Sequence, residues 1–256
     1  RSVSQYAGWV RRIYIVTSGQ RPDWIVEDDR LRLVPHTEIL PPADLPTFNS
    51  HAIETALHRI EGLAEHFLYF NDDFFLGRPT RPELFFNASG KALIFPSDAR
   101  IPGVEDSQTP AVDTAAIRTQ ELLLQRFGKT ATHKLRHAPY ALRRSTMQAV
   151  QQEFSEQVQQ TSASRFRAAT DVCVAASLAA YYGLLVGDCM ISEPAIDYCN
   201  VESPRLAWHL DRLTSSTKFD AFCLNETDID GDETAIDTMI AAFLAAHFPT
   251  PSPWEN

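Results

Sequence analysis

The sequence predicts an α/β protein: a Rossmann-like central sheet flanked by helices, with a helix-rich second half. Short apolar runs at 13–16, 31–34 and 67–70 are each bounded by turn or breaker residues, and a helical segment lies between the second and third. Strand, strand, helix, strand is the rhythm of an α/β sheet. Helical patterns then dominate from residue 114 onward. The chain has 256 residues, of which 44 % are apolar and 22 % charged. Such a chain buries a sizeable core without staples, which excludes a disordered, collagen-like or disulfide-framework protein.

The elements follow in order. Residues 13–16 (IYIV) read as a buried strand ended by Thr17-Ser18-Gly19. A strand this early and this apolar wants neighbours on both sides, so the expectation is that sequence is missing before Arg1. Residues 31–34 form a second strand, ended by Pro35. Asn49 and Ser50 offer an N-cap, and Glu54 then sits in the first turn of a helix over 52–60 closed by Glu61-Gly62. The third strand, 67–70, runs straight into Asn71-Asp72-Asp73. Residues 79–110 read as an irregular insertion punctuated by Pro96, Pro102 and Pro110, with a strand near 92–95. Helices are expected over 114–127, 139–158 (with Pro139 in its first turn) and 168–185. Short strands near 196–201 and 219–224 return the chain to the sheet, and Asp232 caps a last helix over 233–247.

The net charge of −10 argues against a nucleic-acid partner. The charge is uneven: residues 118–167 hold nine Lys/Arg against three Glu, whereas 200–256 hold three against ten acids. A basic segment in an acidic protein suggests a bound anionic small molecule; an ordinary basic surface helix would look the same. The four cysteines form no CxxC pair, and their apolar surroundings suit reduced, buried thiols, which favours the cytoplasm. No signal peptide is visible. The longest apolar stretch, 172–187, is 16 residues, short of the roughly 20 a membrane span needs. It reads as a buried helix, and association with a membrane surface is left open.

Candidate chemistry gathers at FLYFNDDFFLG, residues 67–77. Asp72 and Asp73 sit at the carboxyl end of an apolar strand, where open α/β sheets bind ligands. Adjacent carboxylates repel unless a cation or Arg offsets them, and a hard divalent ion completed by phosphate oxygens does this well. A plain turn is the alternative. Ser50 and Glu54 open a helix whose free amides suit an anion, although capping explains them equally. His133 and His137 are four residues apart amid Lys134, Arg136, Arg143 and Arg144. A functional histidine beside phosphate-binding Arg suits this better than a zinc pair, and a solvated basic turn is the alternative. Arg167 either clamps a phosphate or pairs with Asp171 across one turn. Asn225 and Glu226 repeat the theme of a strand ending in polar ligands; a degenerate EF-hand frame can be drawn over 226–237, but a solvated acidic turn with Asp232 as N-cap fits the residues better. The common NTPase, dinucleotide, serine-hydrolase and zincin motifs are absent.

Taken together, LPTFNSHAIETALHRIEGLAEHFLYFNDDFFLG (45–77), HAPYALRR (137–144), RFRAATD (165–171) and FCLNETD (222–228) resemble the Stealth family of sugar-phosphate transferases. The resemblance implies a GT-A-like fold and a single catalytic domain over 1–256. The family's first region, with an Asp after a strand, would lie before Arg1. It implies catalytic roles for His137, Asp73, Arg167 and Asn225, substrate contacts from Ser50, Glu54, Arg144 and Glu226, and Mg²⁺ or Mn²⁺ held by Asp72 and Asp73. Glu226 departs from the family, which commonly has Asp after Asn. The implied reaction moves a sugar-1-phosphate from a UDP-sugar donor to a glycan acceptor hydroxyl and releases UMP. A metal-dependent glycosyltransferase releasing UDP, or a non-catalytic sugar-nucleotide or glycan-binding module, are the rival readings. Whether the chain forms a homo-oligomer is left open.

Overall fold

A computed structural model describes residues 1–105, 109–226 and 233–256. In chain order the elements are α1 (Ser2–Tyr6), β1 (Ile13–Thr17), β2 (Leu31–Pro35), α2 (His36–Ile39), α3 (Ser50–Glu54), β3 (His66–Tyr69), β4 (Phe74–Leu76), β5 (Ala92–Ile94) and β6 (Pro96–Arg100). There follow α4 (Ala111–Phe127), β7 (His133–Leu135), β8 (Tyr140–Arg143), α5 (Arg144–Glu153), α6 (Ser155–Ala163), α7 (Ala179–Val186), β9 (Cys189–Ile191), β10 (Ile196–Asn200), α8 (Leu206–Ser215), β11 (Ala221–Asn225) and α9 (Glu233–His247). The α/β class is as expected. In place of one continuous sheet, the strands described form five small sheets: β1 with β2 and β5 with β9 in parallel, β3 with β8 and β6 with β7 antiparallel, and the three-stranded order β10-β11-β4.

The three-stranded ladder positions the site. β10 and β11 run parallel, and β4 joins β11 antiparallel. Its residues alternate between two cores, as the period of two requires. Ala221, Cys223, Phe74 and Leu76 face the main core, which also holds Val34, Phe85, Leu123, Met147 and Leu178. Phe222, Leu224 and Phe75 face a second core with Leu210 of α8, Phe243 of α9 and Phe248. A ladder covered on both faces needs near-continuous apolar strands, which is why FFL and AFCL carry no polar alternation. The two strands approach closely at Gly77, where a Cβ would stand 2.7 Å from the Phe219 carbonyl oxygen.

Three expected helices are recast. The segment 52–60 starts earlier, at Ser50, leaves the helix after Glu54 and continues as a 3-10 turn, Leu57–Arg59. The expected helix 139–158 begins instead with strand β8, because Tyr140, Ala141 and Leu142 pair with β3 and are buried. Its helical part starts at Arg144 and breaks at Phe154 between α5 and α6. The expected helix 168–185 starts only at Val174, as a π turn that leads into α7 and ends on Gly187 at φ 88°. The EF-hand frame, with Gly231, and the Asp232 cap fall largely outside the described residues. No helix among those described is long and apolar enough to cross a membrane.

Candidate active site

Asp73 sits in the tight turn between β3 and β4, where the Phe74 amide donates to the Asn71 carbonyl at 3.3 Å. The Asp73 carbonyl in turn accepts from the Leu224 amide at 3.1 Å, so the turn is stitched to the end of β11. The turn sends the two neighbouring acids different ways. Asp72 is exposed, while Asp73 is half-buried. Asp73 Oδ2 accepts hydrogen bonds from His137 Nε2 at 3.0 Å and from Cys223 Sγ at 3.1 Å. Its Oδ1 is buried without a partner among the described residues. Burial works against the charge, but the bonds from His137 and Cys223 hold the Asp73 carboxyl below the usual carboxylate range.

His137 lies over a row of three side chains that the strand register places side by side: Tyr198 on β10, Cys223 on β11 and Phe74 on β4. Its ring packs edge-on to Phe74 with centroids 4.6 Å apart and faces Tyr198 at 6.4 Å. With Nε2 given to Asp73, Nδ1 is the nitrogen left to take a proton. Asn225 lies two residues beyond Cys223 and therefore on the same face of β11, in register with Asn200. Glu226 follows it and is exposed.

A second group of predicted residues gathers around α3. Asn49 caps that helix, its Oδ1 accepting from the His51 amide at 3.0 Å. Its Nδ2 donates to Asp171 Oδ2 at 2.7 Å and to the carbonyls of Ser164 and Phe166. Asp171 also accepts from the Ala168 amide at 2.9 Å. Burial opposes its charge, while His51, Ala168 and Asn49 hold its carboxyl below the ordinary range. These ties fix the loop 164–171 against α3, and there Arg167 Nη2 donates to Ser50 Oγ at 3.1 Å. Arg167 thus reaches Ser50, and Asp171 is engaged by Asn49 and the loop backbone.

Glu54, one turn after Ser50, is 4 % exposed and accepts from Tyr69 Oη at 3.3 Å and from the Ala175 amide at 3.1 Å. Burial pushes its carboxyl up, against the pull of His51 and that amide. Tyr140 stacks on Tyr69 and packs against Phe74. Burial, and then the acidic groups Cys173, Glu54, Asp73 and Cys223, push its phenol well up. A line of contacts thus runs from His137 through Phe74, Tyr140 and Tyr69 to Glu54.

Two expected neighbours stand elsewhere. Arg144 follows β8 at the end away from Tyr140, about 13 Å along the strand at its usual rise. Its amide donates to the Glu65 carbonyl. His133 lies in β7, with Nδ1 bonded to Thr132 Oγ1, so it makes no helical pair with His137. Cys223, Tyr140 and Tyr198 are site residues that the sequence reading did not single out, while Asn49, read there as an N-cap, is the cap of α3. The signal was present for Cys223, since strand alternation puts it on the face of Asn225. All four cysteines are free, and three are buried.

The fold and this cluster define an α/β protein with an acid–imidazole centre at a strand end and an arginine beside a helix start. Three family models match the chain: Stealth protein conserved region 2 over residues 1–94, conserved region 3 over 136–184 and conserved region 4 over 211–256. The chain belongs to the Stealth family. It is 47 % identical to an exopolysaccharide phosphotransferase of Streptomyces coelicolor over 261 aligned residues, which cover 100 % of this chain and 48 % of that protein. A second such protein of the same organism is 45 % identical, with 100 % and 44 % covered. The exopolysaccharide phosphotransferase CpsY of Mycobacterium leprae is 38 % identical, with 100 % and 48 % covered. The chain thus spans about half the length of these curated relatives.

Proposed function

We propose that this chain carries the catalytic centre of a phosphotransferase that moves an N-acetylhexosamine-1-phosphate from a UDP-sugar to a glycan hydroxyl. The observation that carries the reading is the Asp73–His137 pair, 3.0 Å apart, with Asp73 in the turn that follows β3; the Arg167–Ser50 pair at the start of α3 supplies the phosphate-binding group. The names of the relatives support the phosphotransferase class.

In this reading the acceptor hydroxyl gives its proton to His137 Nδ1, and Asp73 steadies the imidazolium that forms. The acceptor oxygen attacks the β-phosphorus. The bond from that phosphorus to the bridging oxygen breaks, and UMP leaves with the electron pair. Negative charge gathers on the phosphoryl oxygens, so catalysis is positioning and electrostatic stabilisation. Arg167, oriented by Ser50, binds the donor phosphates, and Asn225 lines the same face as His137. Glu226 stands at the rim, where it can contact donor or acceptor. Asp73 Oδ1, buried and without a partner among the described residues, suits a hard cation, with the exposed Asp72 as its neighbour. Mg²⁺ or Mn²⁺ held there would neutralise diphosphate charge. The expected location is the cytoplasm.

The test is incubation with UDP-N-acetylhexosamines, Mg²⁺ or Mn²⁺ and acceptor glycans, followed by chromatography of the nucleotide. UMP release that disappears in Asp73→Asn supports the reading. UDP release indicates sugar transfer instead, and UMP release unchanged in Asp73→Asn removes Asp73 from the centre.

A further inference from the structure

We propose that Asp73, His137 and Cys223 form a three-ligand site for a zinc-class divalent ion, distinct in donor chemistry from the oxygen site of the proposed reaction. Asp73 Oδ2, His137 Nε2 and Cys223 Sγ all lie within 4.8 Å of one another. Two of the separations are 3.0 and 3.1 Å. Tetrahedral zinc with ordinary Zn–O, Zn–N and Zn–S bonds sets its ligands about 3.3–3.6 Å apart. The side chains are thus within a few tenths of an ångström of the required spacing on those two edges.

The donor set selects the ion. Imidazole and thiolate are poor ligands for magnesium and good ones for zinc, cobalt(II) or cadmium. One carboxylate and one thiolate cancel the ion's two charges, which suits a half-buried place. Three protein ligands leave a fourth position toward the open side, where His137 is 33 % exposed at its side chain. The Phe74 ring and the strand register hold His137 and Cys223 in place before the ion arrives. Binding forms the S–metal bond as the S–H bond breaks and releases that proton to solvent. The His137 proton moves from Nε2 to Nδ1 by exchange with water, so one proton leaves per ion bound. An ion so held takes both Asp73 and His137 out of the acid–base pair, and zinc is therefore expected to inhibit the transferase. This consequence alone rests on the proposed reaction.

The experiment titrates metal-free wild-type protein with Zn²⁺ and Co²⁺. Expected are one equivalent bound, one proton released and a near-ultraviolet thiolate-to-cobalt absorption. Cys223→Ser loses that absorption and weakens zinc binding by at least about 10–100-fold, the scale for disturbing even a supporting group. Cys199→Ser, whose thiol faces the second core, keeps both. His137→Ala, altered on the accessible side, weakens binding at least tenfold, which keeps the test decisive if Cys223→Ser does not fold. Absence of the absorption, its persistence in Cys223→Ser, or unchanged affinity in His137→Ala overturns the site. None of these readouts requires turnover, so failure here and failure of the phosphotransferase reading are separately visible.

Discussion

Asn49→Ala is expected to be among the most destabilising single changes near the site. Asn49 is 0 % exposed and ties α3 to the loop that carries Arg167. Loss of its cap bond to the His51 amide costs about 1 kcal/mol. Loss of the bond to the ionised Asp171, at 2.7 Å, adds about 1.5–3 kcal/mol, the scale for a charged acceptor. The expected total is about 2.5–4 kcal/mol, a large share of a domain's usual 5–15 kcal/mol. Urea unfolding followed by tryptophan fluorescence measures it as a shift in midpoint at constant slope. Part of the cost is a stranded buried carboxylate, so adding Asp171→Ala should cost less than the sum of the single changes. A loss below about 1 kcal/mol, or strict additivity, would refute the reasoning.

Other consequences are equally open to measurement. Arg167→Ala should weaken UDP-sugar binding by about 1.5–3 kcal/mol in calorimetry, the scale of charged hydrogen bonds, and unchanged affinity removes it from the donor site. Gly77→Ala should destabilise by about 1–3 kcal/mol, because the carbonyl it would strike is backbone and cannot rotate away; wild-type stability in urea contradicts this. Asp73 and Asp171 titrate below their unfolded values, so their contribution to stability is present above the unfolded Asp pKa of about 3.9 and is lost as pH falls through the folded values. Asp171→Asn should therefore flatten the acid limb of a stability–pH curve, and an unchanged limb contradicts the assignment.

Many of the strands were legible because their runs are apolar throughout, and for β4 and β11 that apolarity follows from cover on both faces. The runs at 13–16, 31–34, 67–70, 92–95 and 219–224 announce themselves by apolarity alone, and each became a strand. β8 was illegible for a physical reason. Tyr140 to Arg143 run directly into a good helix former, and only pairing with β3, some seventy residues earlier, makes them extended. That same strand carries Arg144 away from His137, which no charge count could reveal. The acid pair was legible as a pair, yet which acid turns inward depends on the turn at Asn71 and its bond to β11. The alternation on β11 placed Cys223 beside Asn225, but its bond to Asp73 required β4 to return alongside.

The most direct test of the central claim follows the β-phosphorus. A UDP-N-acetylhexosamine labelled with radioactive phosphorus at the β position would be incubated with protein, divalent ion and acceptor glycan. The account expects the label to enter the glycan as a phosphodiester while unlabelled UMP is released. Label retained in UDP, with sugar alone transferred, would contradict it.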